Sequence, residues 1–251
     1  MAQMGQVHHR RFYVPPSGFR DGRVEFDALQ AHQLVRVLRL GPGDRVRAFD
    51  GTGREVLAEL EAPSAQRASA RVLTEFPIPP GPRLRMTLAQ VVPRAPAMDM
   101  IVAKATELGV SCIRPLEAAQ SVTRASARTS RWLRIAQEAA EQCGRQVLPA
   151  IHPICSLRTF LRSLPPGALL LACHPDERAR PLSVVCRELS GLATPTLLIG
   201  GEGGFRPEEA DDVLAHGGRL VLLGTLRLRV ETAALAGLTI LQACLGDWSR
   251  P

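Results

Sequence analysis

The chain is almost without lysine: Lys104 is the only one among 31 basic residues. A Walker-type triphosphate loop needs a lysine directly behind its glycines. Lys104 instead follows Ala103 inside a helical pattern, so that grip is excluded. Paired cysteines are missing as well. Cys112, Cys143, Cys155, Cys173, Cys186 and Cys244 never form C-x-x-C and are scattered through apolar or helical contexts, which reads as reduced, mostly buried thiols. There is no H-E-x-x-H; His8-His9 is a tandem pair and His152 with Cys155 an isolated one, so no metal site is expected. G-x-G-x-x-G fails because Arg206 stands where its third glycine belongs, and no G-x-S-x-G exists. No apolar run approaches the roughly 20 residues that span a bilayer. Met1 to Arg11 is polar and basic, without the apolar stretch of a secretory signal, so a soluble cytoplasmic protein with no membrane partner is the expectation.

What is present is ordinary globular material, with 45% apolar and 22% charged residues in a chain of 251, enough to bury two small cores. The net charge of +7 is unevenly placed. Residues 1–82 carry 11 basic and 9 acidic side chains, residues 83–162 carry 12 and 5, and residues 163–251 carry 8 and 10. The middle third would attract a polyanion; a solvated basic face with no partner is the alternative.

Two patterns divide the chain. Residues 10–76 read as short strands. Arg45 to Asp50 and Glu55 to Leu60 flank the hairpin signal Asp50-Gly51-Thr52-Gly53, and Arg67 to Phe76 is a further strand. Ala28 to Leu40 is predicted as one helix with Leu34, Val37 and Leu38 on its apolar face, ended by Gly41-Pro42-Gly43. Strands with one helix suggest a small β-barrel over residues 1–76. Pro77, Pro79, Pro80, Gly81 and Pro82 form a stiff linker over 77–82. Over 83–251 strands and helices alternate. Leu84 to Val92, Cys112 to Leu116, Ala168 to Cys173, Thr196 to Gly200 and Arg219 to Gly224 are apolar runs of the kind buried on both faces of a parallel sheet. Ala97 to Leu108, Ser130 to Cys143 and Thr232 to Leu245 have helical periodicity, with Gly109 and Gly144 placed to end the first two.

The sharpest local feature is the strand Leu197-Leu198-Ile199 running into Gly200-Gly201-Glu202-Gly203-Gly204, four glycines in five residues. Such a loop lets backbone approach a ligand closely, and open parallel sheets bind ligands at the carboxyl ends of their strands. A glycine-rich turn with no ligand accounts for this segment equally well. A second loop, Leu223-Gly224 to Thr232-Ala233, leaves another strand, with Glu231 or Thr232 placed to cap the last helix. Two such loops would form one cleft.

At this point the chain resembles the bacterial 16S ribosomal RNA uridine-N3 methyltransferases, the RsmE family of the SPOUT superfamily. The likeness runs through His9-Arg10-Arg11-Phe12-Tyr13-Val14, His32 with Val37-Leu38-Arg39 and Gly43-Asp44, Lys104 to Val110, Arg131-Trp132, Glu138 to Arg145 with Pro149, and the Gly200 and Gly224 loops. The departures are Gly201 for a proline, Leu226-Arg227 for Arg-Ile, Ala119-Gln120-Ser121 for Glu-Arg-Ser, and Arg94 for a lysine. The resemblance implies a PUA-like RNA-binding barrel followed by an α/β domain, a parallel sheet with helices on both faces, tied in a trefoil knot, an exception to the rule against threaded chains. It implies S-adenosylmethionine as cofactor, a homodimer, and 16S rRNA within the 30S subunit, at its decoding region, as substrate. Ala172, Cys173, Ile199, Gly200, Gly201, Glu202, Gly203, Leu223, Gly224, Leu228, Arg229, Thr232 and Ala233 would hold the cofactor. Arg10, Arg11, Arg94, Arg124 and Arg131 would meet RNA. Arg145, then Arg229, would face negative charge developing on the uracil oxygens, with Glu202 a weaker candidate, as base or as a helix cap. The rival readings are a non-catalytic RNA-binding assembly factor and a SPOUT tRNA ribose methyltransferase.

Overall fold

The computed structural model describes residues 7–78, 80–117, 125–189 and 194–249. It divides into two compact units, one of Met1–Pro80 with Gln137–Leu148, the other of Gly81–Ala136 with Pro149–Pro251. The boundary after Pro80 falls in the proline-rich stretch. The return of Gln137–Leu148 to the first unit has no counterpart in the sequence reading.

The first unit contains β1 (Val7–Tyr13), β2 (Phe19–Arg20), β3 (Arg23–Phe26), α1 (Ala28–His32), β4 (Arg45–Phe49), β5 (Glu55–Leu60) and β6 (Ala68–Glu75). They form a six-stranded sheet in the order β1-β4-β5-β6-β3-β2. Where a barrel was expected, the described hydrogen-bonded path runs from β1 to β2 and does not return. Phe12, Val24, Phe26, Leu34, Val46 and Val56 fill its core, with Phe12 and Phe26 edge to face at 5.8 Å. Asp27 begins α1 by accepting from the Gln30 backbone at 2.8 Å, and Gln30 Oε1 accepts from the Asp27 backbone in return at 3.2 Å. The single helix expected over Ala28 to Leu40 passes into a π turn over Gln33–Val37, closed by Leu38 N donating to Gln33 O at 2.9 Å. A π turn holds one residue more than an α turn, so the apolar face is rotated. Leu34 stays buried, whereas Val37 turns out to 61% exposure. The chain leaves this helix at Arg39, with φ +57°, before the glycines are reached.

The second unit contains β7 (Thr87–Val91), α2 (Ala97–Glu107), β8 (Cys112–Glu117), β9 (Ala150–Ile151), β10 (Cys155–Ser156), α4 (Leu157–Arg162), β11 (Leu170–Cys173), β12 (Arg180–Pro181), α5 (Leu182–Glu188), β13 (Thr196–Ile199), α6 (Pro207–Ala215), β14 (Arg219–Leu222) and α7 (Val230–Leu245). Helix α3 (Ala125–Cys143) begins in this unit and ends in the first. The sheet is parallel throughout, in the order β10-β8-β7-β13-β11-β14-β12, with β9 on β8. Alternate residues of each central strand feed opposite layers. Leu88, Leu171, Leu197 and Val221 pack with α2, α5 and α7, while Ala89, Ala172, Leu198 and Leu220 pack with α4 and α6. Helix α7 lies close on β13, because a Cβ at Gly237 would stand 2.6 Å from Leu197 Cδ2.

Candidate active site

The register of the central strands places three carboxyl ends together. Cys173 of β11 is level with Ile199 of β13 and Val221 of β14. The loops leaving those ends, with the segment after β7, enclose a cleft of about 980 Å³. This is the crevice in which open parallel sheets bind ligands, and its size is at the upper end of ligand pockets.

The glycines of the first loop have distinct duties. A Cβ at Gly200 would stand 3.0 Å from the Gly204 carbonyl carbon, so a larger residue there would press on the backbone of the folded loop. Gly204, at φ +76°, donates its N–H to Gly201 O at 2.9 Å and closes the turn. Beneath it the buried Gln90 donates from Nε2 to Val91 O at 2.8 Å and to Gly200 O at 3.4 Å. Gly203 and Gly224 face open space, and a Cβ on either would meet no atom within 4 Å. Phe205 is buried behind the loop with the His174 ring edge-on at 6.0 Å, and His174 Nδ1 is buried with no hydrogen-bond partner among the described residues.

The second loop reaches α7 directly. The N-cap is Arg229, and no side chain caps the helix. The expectation that Glu231 or Thr232 would cap it is therefore corrected, since α7 begins two residues before Thr232 and both lie inside its first turn. The unpaired N–H groups of that turn stand beside the cleft wall formed by Arg229, Val230, Glu231 and Ala233. Nor does Glu202 cap α6, whose N-cap backbone, at Arg206, donates to Glu209 Oε2 at 2.9 Å.

Of the residues expected to hold the cofactor, Cys173, Ile199, Gly200, Gly201, Glu202, Gly203, Leu223, Gly224, Leu228, Arg229 and Ala233 line the cleft. Ala172 and Thr232 do not: strand alternation turns Ala172 into the core on the α4 and α6 side, and Thr232 is exposed on α7. Burial pushes the Cys173 thiol up to about 12, which keeps it protonated and unreactive. Sequence reasoning passed over His174 and, of the wall Pro93 to Ala97, all but Arg94, which it assigned to RNA. The signal for both was available, because His174 follows β11 and Pro93 follows β7, and β7 is level with β13 through Gln90 and Ile199.

The arginines separate. Arg94 is exposed, with Nε 3.8 Å from Glu202. Arg131 binds Asp99 Oδ2 at 2.7 and 3.0 Å. Arg10 is exposed on β1. Arg124 and Ala119-Gln120-Ser121 lie outside the described residues. For Arg11 the RNA contact is corrected. Its side chain, 7% exposed, donates to both carboxylate oxygens of Glu55 at 2.9 and 3.0 Å, to Ala140 O at 2.8 Å and to Arg145 O at 3.2 Å, and lies over the Phe49 ring, so it has no surface left for a partner. Arg145 belongs to the first unit and does not line the cleft. It is half-buried, its Nε donates to Val147 O, and burial lowers its pKa while leaving it a cation at neutral pH. Among the described residues no group of three metal-ligating side chains comes together, and no helix is long and apolar enough to cross a membrane.

A glycine-lined cleft at the carboxyl ends of a parallel sheet, in a chain that also carries a separate strand unit, is the arrangement of one class of RNA-modifying enzyme. Residues 80–242 match the model of an RNA methyltransferase domain, and residues 30–73 that of an RNA methyltransferase PUA domain. The ribosomal RNA small subunit methyltransferase E of Synechocystis is 31% identical over 241 residues, covering 94% of this chain and 78% of the relative. That of Bacillus subtilis is 28% identical, covering 84% and 86%. The crystal structure of the Neisseria gonorrhoeae enzyme of that name, bound to S-adenosylmethionine, superposes with TM-score 0.86 at 30% identity, covering 96% of this chain and all of that one. A Legionella pneumophila methyltransferase in complex with the same cofactor superposes with TM-score 0.85 at 29% identity over the same shares. The chain belongs to the ribosomal RNA small subunit methyltransferase E family.

Proposed function

We propose that this protein methylates N3 of a uridine in 16S rRNA, with S-adenosylmethionine as the methyl donor. The observation that carries the reading is the cleft itself, in a chain of this family. Gly203 and Gly224 leave their Cβ directions empty, and the glycine loop and the first turn of α7 present backbone polar groups to the space between. The residues fit a nucleoside-sized cofactor: a glycine-cradled cleft, with the unpaired His174 Nδ1 in its wall. When bound, the cofactor supplies an electrophilic methyl group.

The protein must then hold the uracil edge and stabilise the charge left on the ring oxygens as N3 loses its proton. Arg229 and Glu202 both line the cleft; the first is proposed for this role and the second as proton acceptor. Arg145 is proposed as the chief cation. Its support is its place at the end of the Glu138 to Arg145 stretch that carries the family likeness, where it is half-buried with Nε on Val147 O. Arg10, Arg94 and Arg131 are proposed to bring RNA phosphates to the surface. The finer features of the class, a trefoil knot in the second domain, a homodimer, the assembled 30S subunit as substrate and a cytoplasmic location, belong to the same proposal.

The test is nucleoside mass spectrometry of 16S rRNA taken from a deletion strain and incubated with the protein, with and without the cofactor. A cofactor-dependent 3-methyluridine is expected. A 2′-O-methylated nucleoside would reassign the chain to the ribose methyltransferases, and no cofactor-dependent product would leave an RNA-binding assembly factor.

A further inference from the structure

A second recess, of about 510 Å³, opens beside the cleft and shares Arg94 and Glu202 with it. It belongs wholly to the second unit. Its cations come from two elements: Arg94 from the segment after β7, and Arg128 and Arg131 from one face of α3, three residues apart. Met98 and Trp132 close its floor and are 2% and 3% exposed.

The two acids do not cancel these cations. Asp99 is taken up by Arg131. Glu202 is 3.8 Å from Arg94, beyond hydrogen-bond reach, and both side chains are exposed. Arg128 is half-buried and has no ion-pair partner among the described residues. A half-buried guanidinium offers donors only, in a fork that matches oxygens of a phosphate. The floor leaves little ring face for stacking a base, because Trp132 is nearly enclosed.

We infer that this recess seats a phosphate of the RNA strand beside the uridine presented to the neighbouring cleft, gripped by Arg128 and Arg94, with Arg131 held in place by Asp99. The inference rests on the proposed RNA substrate. Phosphate contacts set register and carry no sequence information. The recess would thus fix how far along the strand the target base falls from the cleft. Seating the anion draws Arg94 away from Glu202 and leaves that carboxylate facing the cleft.

The test measures binding of 30S subunits purified from cells lacking the methyltransferase, across a series of salt concentrations. Arg128→Gln and Arg94→Gln should each flatten the slope of log affinity against log salt by about 0.7, and each should weaken binding about tenfold at moderate salt. Cofactor affinity by calorimetry should hold in Arg128→Gln, whose side chain lies outside the cofactor cleft. Arg158→Gln, the same charge loss on the exposed face of α4, should leave the slope as in the wild type. Wild-type slopes in the Arg128 and Arg94 variants, or equal flattening in Arg158→Gln, would overturn the subsite. If Arg128→Gln does not fold, which loss of cofactor binding and a lowered melting temperature would reveal, Arg94→Gln on its exposed segment decides alone. A wild-type protein that forms no 3-methyluridine yet shows these slope changes would sink the methylation reading and keep the subsite; the reverse pair of results would do the opposite.

Discussion

At Arg11 a cation is almost wholly withdrawn from water, against a Glu55 carboxylate that is 3% exposed and also accepts from Gln146 Nε2 at 2.7 Å. A buried pair adds little net stability, but removing one partner strands the other charge. Arg11→Ala is therefore expected to lose about 3–5 kcal/mol, read as a lower urea midpoint at unchanged slope. An unchanged midpoint would mean that the network is idle. Arg11→Lys should recover only part, since an ammonium lacks the planar fork that spans two carboxylate oxygens while reaching two carbonyls. RNA binding is better probed at Arg10, which is exposed and can lose its charge without touching this network. Arg145→Ala addresses catalysis. Losing one donor to transition-state charge should lower the single-turnover rate by roughly a hundredfold or more, with cofactor affinity unchanged. A normal rate at saturating RNA would pass the role to Arg229.

At the scale of the element, the glycine loops separate folding from binding. Gly203→Val places its side chain in open cleft space, so the melting temperature should hold while cofactor affinity falls on the order of a hundredfold, about 2.7 kcal/mol. Calorimetry showing wild-type affinity would dismiss the cleft as the cofactor site. Gly200→Ala differs in kind, because its Cβ meets the Gly204 backbone and the loop must shift. The same elements show what a sequence makes legible. Strands β11, β13 and β14 were readable nearly to the residue, because burial on both faces leaves an unbroken apolar run. Helices α2 and α3 were readable from their period and from Gly109 and Gly144, which end them at φ +82° and +86°. The two-residue strands β9, β10 and β12 carry no period at all, and α4 and α5 are too short for one. The π turn was hidden because it changes the phase of a helix without changing its composition. The Arg11–Glu55 pair was hidden because 44 residues separate its members.

For the whole molecule, the expected homodimer needs a surface other than the leucine stripe of α7, Leu235, Leu238, Leu241 and Leu245. Leu238 and Leu241 of the α7 stripe are fully buried in their own core. Leu226 at 79% exposure and Trp248 at 57% are among the large apolar groups left uncovered. Light scattering at micromolar concentration is expected to give twice the 27.2 kDa chain mass, and a value near the chain mass would remove the dimer from the proposal. The first unit's composition from two separated stretches has a consequence for how the protein is born. A ribosome that has delivered Pro80 has not delivered Gln146, which completes the hydrogen bonding of Glu55, nor the Ala140 and Arg145 carbonyls that Arg11 requires. At roughly 5–20 residues per second, the nascent strand unit waits on the order of several seconds for its missing piece. In that interval the carboxylate has Arg11 and Arg47 but not Gln146, and the guanidinium lacks its two carbonyls, so the opening sheet of the chain is not the first part of it to be finished.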